Sequence, residues 1–320
     1  MAGGLPADAR LNAAVAAHRA LLPDGRWHFQ HGPIDLVIQA DGAPTAVAAA
    51  HAAAWRRFEP LLDELVAELP LLRRRIADAD CPLRGPVARR MWAACAPFSA
   101  GFVTPMAAVA GAVAQEVVAC YAREGVDRAW VNNGGDIAFH LAPGRTMKVG
   151  LYADLARLDA KQLRDGLALD GRVRIDADLP VRGLATSGWR GRSFSLGIAD
   201  SVTVLAATAA QADAAATIVA NAVAVDDPRI TRAPACTLRD DSDLGEIEVT
   251  VDVPLLSFGA VRAALDNGAR CARALRDAGL AWSAVLACQG QVAVCDPPGA
   301  RMASRAADGV AFAQPSCSEH

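Results

Sequence analysis

Aromatic residues are scarce, 5% of a 320-residue chain that is otherwise 53% hydrophobic. A core built from this chain must be filled mainly with Ala, Val and Leu, small side chains that divide the packing finely. Long apolar runs are missing too. The longest, Pro105 to Ala114, is ten residues, about half of the roughly 20 that a membrane-crossing helix needs. The N-terminus, MAGGLPADARLNAAV, has no basic segment leading into an apolar stretch, and no lipid-attachment cysteine. These absences argue against export and membrane insertion and lead us to expect a cytoplasmic protein. Nor is there a basic excess: the net charge is −3 and the arginines are scattered, which argues against a nucleic-acid partner. The eight cysteines, at 81, 95, 120, 236, 271, 288, 295 and 317, form no C-x-x-C pair and read as reduced core thiols. Repeats of 20 to 50 residues are lacking, so a solenoid is excluded.

Against these absences stand alternating strand and helix patterns. A single domain over 1–297 is expected, followed by an Ala/Gly/Ser-rich tail, 298–320, expected to be disordered. Residues 1–24 read as a helical arm ending at Pro23-Asp24-Gly25. Trp27–Gln39 reads as a hairpin around His31-Gly32-Pro33, and Thr45 as the N-cap of an Ala-rich helix broken near Pro60. Further helices are expected over Pro86–Cys95, from Pro105 toward Tyr121, over Ala209–Val223 and over Phe258–Ala278. Strands are expected in Ala129–Leu141, Met147–Tyr152, Val181–Thr186, Ser201–Ala206, Ile247–Val253, Ala281–Cys288 and Gln291–Cys295, with Pro228–Ser242 a polar loop. This alternation indicates an α/β or α+β protein with long helices on mixed sheets. His28 and His31, the closest histidine pair, are three apart and fall on opposite faces of a strand, a poor geometry for a metal.

Four short stretches carry chemistry. Thr104 before Pro105 is an N-cap followed by proline at the first helical position, and the helix then continues in small residues that let a backbone or a flat ligand approach. Asn133-Gly134-Gly135-Asp136 is a glycine turn between strands, which equally suits an ordinary hairpin. Thr186-Ser187-Gly188 ends a strand. Asp213 and Thr217 are four apart on a helix and share a face, so their oxygens could converge on a hard cation such as Mg²⁺. Alone, that pair is ordinary helix decoration.

Taken in order, these stretches resemble the ApbE superfamily, whose characterised members are FAD:protein FMN transferases. The matching pieces are Gly134-Gly135-Asp136, Ala185-Thr186-Ser187-Gly188, the Ser201–Val204 strand, the helix bearing Ala212-Asp213 through Thr217, and the small-residue stretch Ala108–Ala114. The resemblance implies an ApbE-like fold and Mg²⁺ ligated by Asp213, Thr217 and the carbonyl of Ala110. It also implies an FAD or FMN site lined by Thr104, Met106, Asn133, Gly134, Gly135, Asp136, Thr186, Ser187 and Gly188. The chain departs from the family at two points: Gly111 stands where the transferases have a lysine, and their H-x-x-D-P segment is reduced to Gly197-Ile198-Ala199-Asp200. Asp200 is the surviving acidic candidate for proton transfer.

Two functions follow from the resemblance. One is a Mg²⁺-dependent flavin transferase or FAD pyrophosphate-cleaving enzyme. The other is a non-catalytic flavin-binding module, or a subunit of a redox enzyme, with a redox partner protein or a homo-oligomer left open. A hydrolase using Ser187 as nucleophile lacks a histidine in a partner motif.

Overall fold

The computed structural model describes residues 16–77, 80–151 and 171–297. Thirteen strands are found there: β1 (His18–Leu21), β2 (Trp27–His31), β3 (Ile34–Gly42), β4 (Val126–Asn133), β5 (Asp136–Leu141), β6 (Thr146–Leu151), β7 (Gly171–Asp176), β8 (Gly183–Ser187), β9 (Ser201–Ala206), β10 (Thr231–Pro234), β11 (Glu248–Asp252), β12 (Ser283–Cys288) and β13 (Gln291–Cys295). Nine of them form a central sheet in the order β1-β2-β3-β4-β5-β8-β9-β12-β13. Two small sheets pair β6 with β7 and β10 with β11.

Every strand pair among the described residues is antiparallel. The expected mixed sheets are therefore corrected to an α+β architecture with antiparallel ones. A parallel neighbour needs a crossover that returns the chain to the end where it started. Here β9 and β12, although separated by helices, re-enter the sheet running in opposite senses.

The helices cover one face, and strand alternation decides what meets them. Ala138, Ala185, Val202 and Val204 join the helix-side cores, while Phe139, Leu184 and Leu205 point the other way onto Met147, Val173 and Ile175 of the β6/β7 pair. The Ala209–Ala222 helix lies over the middle of the sheet, against the Val109–Val118 helix on one side and the Phe258–Asp277 helix on the other. Glycine sets the closeness of that central helix. A Cβ at Gly183 would sit 2.1 Å from the Ala209 nitrogen, at Gly197 2.0 Å from the Ala220 carbonyl oxygen, and at Gly111 2.2 Å from the Ala209 carbonyl oxygen.

Three local expectations are corrected. Within the expected 1–24 arm, His18–Leu21 is a strand paired with Trp27–Gln30. Arg19 from it stacks on the rings of Trp27 and Trp55 at 5.4 and 5.0 Å, so cross-strand contact and cation–π attraction override local helix preference. The rest of that arm before residue 16, and the tail after 297, lie outside the described residues. The first helix begins at Pro44 with Ala43 as its cap, proline taking the first helical position, so Thr45 does not cap it. Inside the expected Pro228–Ser242 loop, Thr231–Pro234 pairs with β11 and Ala235–Leu238 makes a helical turn. The seven described cysteines are all free thiols, as their apolar settings suggested.

Candidate functional site

One end of the large sheet gathers the glycine turn between β4 and β5, the end of β8, the start of β9 and the turn between β12 and β13. The β4–β5 connection is a two-residue turn: Asn133 pairs with Asp136, and Gly134 and Gly135 have φ of 65° and 114°. Positive φ at both central positions is what a tight hairpin needs and side chains resist. The Asn132 Oδ1 accepts the Gly135 N–H at 2.8 Å and locks the turn. Asp136 opens β5 with its side chain on the helix side, 8% exposed.

The Val109–Val118 helix points its N-terminus at this turn. Its first N–H groups have no partner in their own helix, and the neighbouring helix supplies one: Asp213 Oδ2 accepts the Gly111 N–H at 2.9 Å, and Ala110 donates to the same carboxylate. The Ala110 carbonyl in turn accepts the Asn133 Nδ2 at 3.1 Å. Asp213 is thus first of all a cap reaching across from a second helix. The sequence pattern did not reveal this role, since residues 102 apart had to meet.

The carboxyls of Asp136 and Asp213 also meet, within hydrogen-bonding reach of each other. Burial raises Asp136 to about 7, against the pull of the Thr186 N–H that donates to its Oδ1 at 3.1 Å and of the bond with Asp213. Burial likewise raises Asp213 well above the carboxylate range, and the charge of Asp136 adds to it; the N–H groups of Gly111 and Ala110 oppose. Two carboxyls in contact, one buried and one half-buried, cannot both ionise cheaply, so near neutrality they share a proton or recruit a cation. The Asp213 charge reaches Cys95 as well, whose thiol is pushed up by burial first and by Asp213 second.

Sequence comparison places these residues in a family. The family model described as AbpE bacteria matches residues 19–294. The chain belongs to that family. Ala110, Asn133, Asp136, Asp213 and Thr217 all fall inside the AbpE bacteria match. A UPF0280 protein of Methanopyrus kandleri is 35% identical over 224 residues, 68% of this chain and 83% of that protein. A UPF0280 protein of Methanothrix thermoacetophila is 37% identical over 168 residues, 52% of this chain and 65% of that one. A UPF0280 protein of Methanosarcina acetivorans is 34% identical over 200 residues, 62% and 72%.

Within this AbpE bacteria chain the remaining candidates separate. Thr217 lies one turn after Asp213 on the same helix, half-buried, and its hydroxyl makes no hydrogen bond among the described residues. Thr186 serves both faces of the sheet. Its N–H goes to Asp136 on the helix side, while its hydroxyl bonds the Thr203 hydroxyl at 2.9 Å on the other. Gly188 packs on the backbone of Asp200, where a Cβ would come within 2.4 Å of the carbonyl oxygen, and Ser187 is half-buried beside it. Thr104 is used structurally: buried, it accepts the Met106 N–H and donates to Asp243, pinning the segment after β10. Met106 packs, half-buried, on the core.

Asp200 has occupied partners. Its Oδ2 accepts the Gln289 N–H at 2.5 Å, holding a residue at φ 44°, and its Oδ1 lies 3.3 Å from Arg190. Such a carboxylate organises the β12–β13 turn. Asp136, which the sequence pattern assigns only to the ligand lining, is the residue brought against Asp213. Among the described residues there is no cluster of three His, Cys, Asp or Glu side chains, and no helix is long and apolar enough to cross a membrane.

Proposed function

We propose that this protein binds a flavin nucleotide at the Gly134–Asp136 end of the sheet and acts there, with Mg²⁺, on the pyrophosphate of FAD. The observation that supports the reading best is the Asp136–Asp213 pair, a buried carboxyl in contact with a half-buried one, set between two turns made of small residues. A divalent cation fits the donor set. It would relieve the repulsion of the pair, and the Thr217 hydroxyl and the Ala110 carbonyl, which also accepts the Asn133 Nδ2, add hard oxygens of the kind that Mg²⁺ takes alongside water. Mg²⁺ held by Asp213, Thr217 and Ala110 would neutralise and polarise a pyrophosphate. Asp136 stands beside Asp213, where its carboxylate is placed to take a proton from the attacking oxygen. That oxygen belongs either to water, releasing FMN and AMP, or to an acceptor hydroxyl that would carry FMN.

Purified protein incubated with FAD should release AMP only when Mg²⁺ is present, followed by chromatography. FAD that neither binds nor is cleaved removes the flavin reading. Asp213→Ala is expected to abolish divalent-metal binding in calorimetry, and unchanged binding removes the metal site. A non-catalytic flavin carrier is the second reading. Gly111 favours it, because the transferases have a lysine there and in this fold no side chain fits. A yellow protein that holds flavin without cleaving FAD selects it.

A further inference from the structure

Beside the acidic pair, the segment from Ser187 to Leu196 crosses the end of the sheet and is held in place. The Trp189 N–H donates to the Ala199 carbonyl at 3.0 Å, the Leu196 N–H and Ser195 hydroxyl donate to Asn221 Oδ1 at 2.9 and 3.1 Å, and the Phe194 ring lies 5.1 Å from the Arg239 guanidinium. From this anchored segment Arg192 reaches away, over the glycine turn. A Cβ on Gly134 would lie 3.2 Å from its Nη1, and its Nη2 is 3.5 Å from the Pro33 carbonyl oxygen. Arg192 is exposed and makes no ion pair among the described residues. Its neighbour Arg190, by contrast, is committed to Asp200 and to the ring of Trp189. A guanidinium offers five N–H donors; here one of them meets an acceptor, at the outer limit of a hydrogen bond.

We propose that Arg192 is the arm that grips a phosphoryl group of the ligand handled at Asp136 and Asp213. This rests on the reading above, that a phosphate-bearing ligand enters at this end of the sheet. The acidic pair by itself repels such a ligand. Arg192 supplies the opposite charge over the turn that ends at Asp136, two residues beyond Gly134. Its planar fork can hold two oxygens of one phosphate at once, which a lysine cannot. Gly134 contributes by lacking a side chain, because any Cβ there would crowd the guanidinium.

The test titrates wild type, Arg192→Ala and Arg192→Lys with FMN, riboflavin and inorganic pyrophosphate, each with Mg²⁺. Arg192→Ala should weaken FMN and pyrophosphate binding about tenfold or more, the loss of a charge-assisted contact, and leave riboflavin binding and the unfolding temperature unchanged. Arg192→Lys should recover only part of the affinity. Equal weakening of riboflavin and FMN overturns the proposal, as does FMN and pyrophosphate binding that the variant leaves intact. If wild type binds neither flavin yet binds pyrophosphate through Arg192, the flavin reading fails and the arm stands. A wild type that binds none of the three overturns both.

Discussion

Gly111→Ala is expected to destabilise the protein by about 3 kcal/mol in urea unfolding, the upper part of the usual range for overpacking. The same exchange in an open helix would stabilise by about 0.5–1 kcal/mol, so the sign of the result decides the packing. The added Cβ would lie 2.2 Å from the Ala209 carbonyl oxygen and 2.9 Å from the Asp213 Cβ. Both belong to the neighbouring helix, and neither is the end of a flexible side chain. To admit a methyl group the two helices must part, which stretches the 2.9 Å bond from Gly111 to Asp213 and loosens any cation held there. Calorimetry on the variant should therefore show weaker Mg²⁺ binding as well. Gly259→Ala is the control: it lies in the Phe258–Asp277 helix, where an added Cβ would meet nothing within 4 Å, and should be neutral or slightly stabilising. A Gly111→Ala protein as stable as wild type would refute the close helix contact. The same geometry means that Gly111→Lys should fold less stably still.

Asp136→Asn is expected to raise the stability of the metal-free protein above pH 7, by on the order of a few kcal/mol. The sign follows from the raised carboxyl. Burial pushes Asp136 up to about 7 in the folded chain, against 3.8 as its ordinary value. Between those limits the folded state holds a proton that the unfolded state has released. Its contribution is fully present below about pH 4 and is lost as pH rises through about 7. The amide keeps an oxygen for the Thr186 N–H and gains N–H donors for Asp213, without the second charge. The advantage of the variant over wild type should thus shrink as pH falls from about 8 to about 4 in urea unfolding with a chelator present. Adding Mg²⁺ at about pH 8 should stabilise wild type more than the variant. A variant less stable than wild type under the same alkaline, metal-free conditions would mean that the Asp136 carboxyl is not enclosed against Asp213.

The elements are largely legible from periodicity. The β2–β3 and β4–β5 hairpins, the alanine-rich Ala209–Ala222 helix and the paired β12 and β13 follow from alternation, turn residues and N-caps that act locally; Thr208 and Ser257 cap their helices by accepting the N–H three residues on. His28 and His31 fall on opposite strand faces, as their spacing requires: one bonds Asp35 at 3.0 Å, the other is buried. Strand β1 reads as helix in the sequence because its stabilisation comes from Trp27 and Trp55 rather than from its own residues. The antiparallel order of the sheet is hidden as well, since helices between strands are compatible with either direction.

For the site, the parts are written in local pattern: a glycine turn with an acid beside it, a small-residue helix start, and an Asp one turn before a Thr. Each depends on interactions spanning a few residues, which local pattern records. What those parts do to one another comes from how the chain packs. Packing set Asp213 as the cap of a helix 102 residues away in sequence, pressed Asp136 against it, committed Asp200 to the Gln289 turn, and left the guanidinium of Arg192 over Gly134. The reason is physical: the cost of enclosing a charge, and the space a missing Cβ leaves, arise from groups far apart in the chain and appear only once the helices close on the sheet.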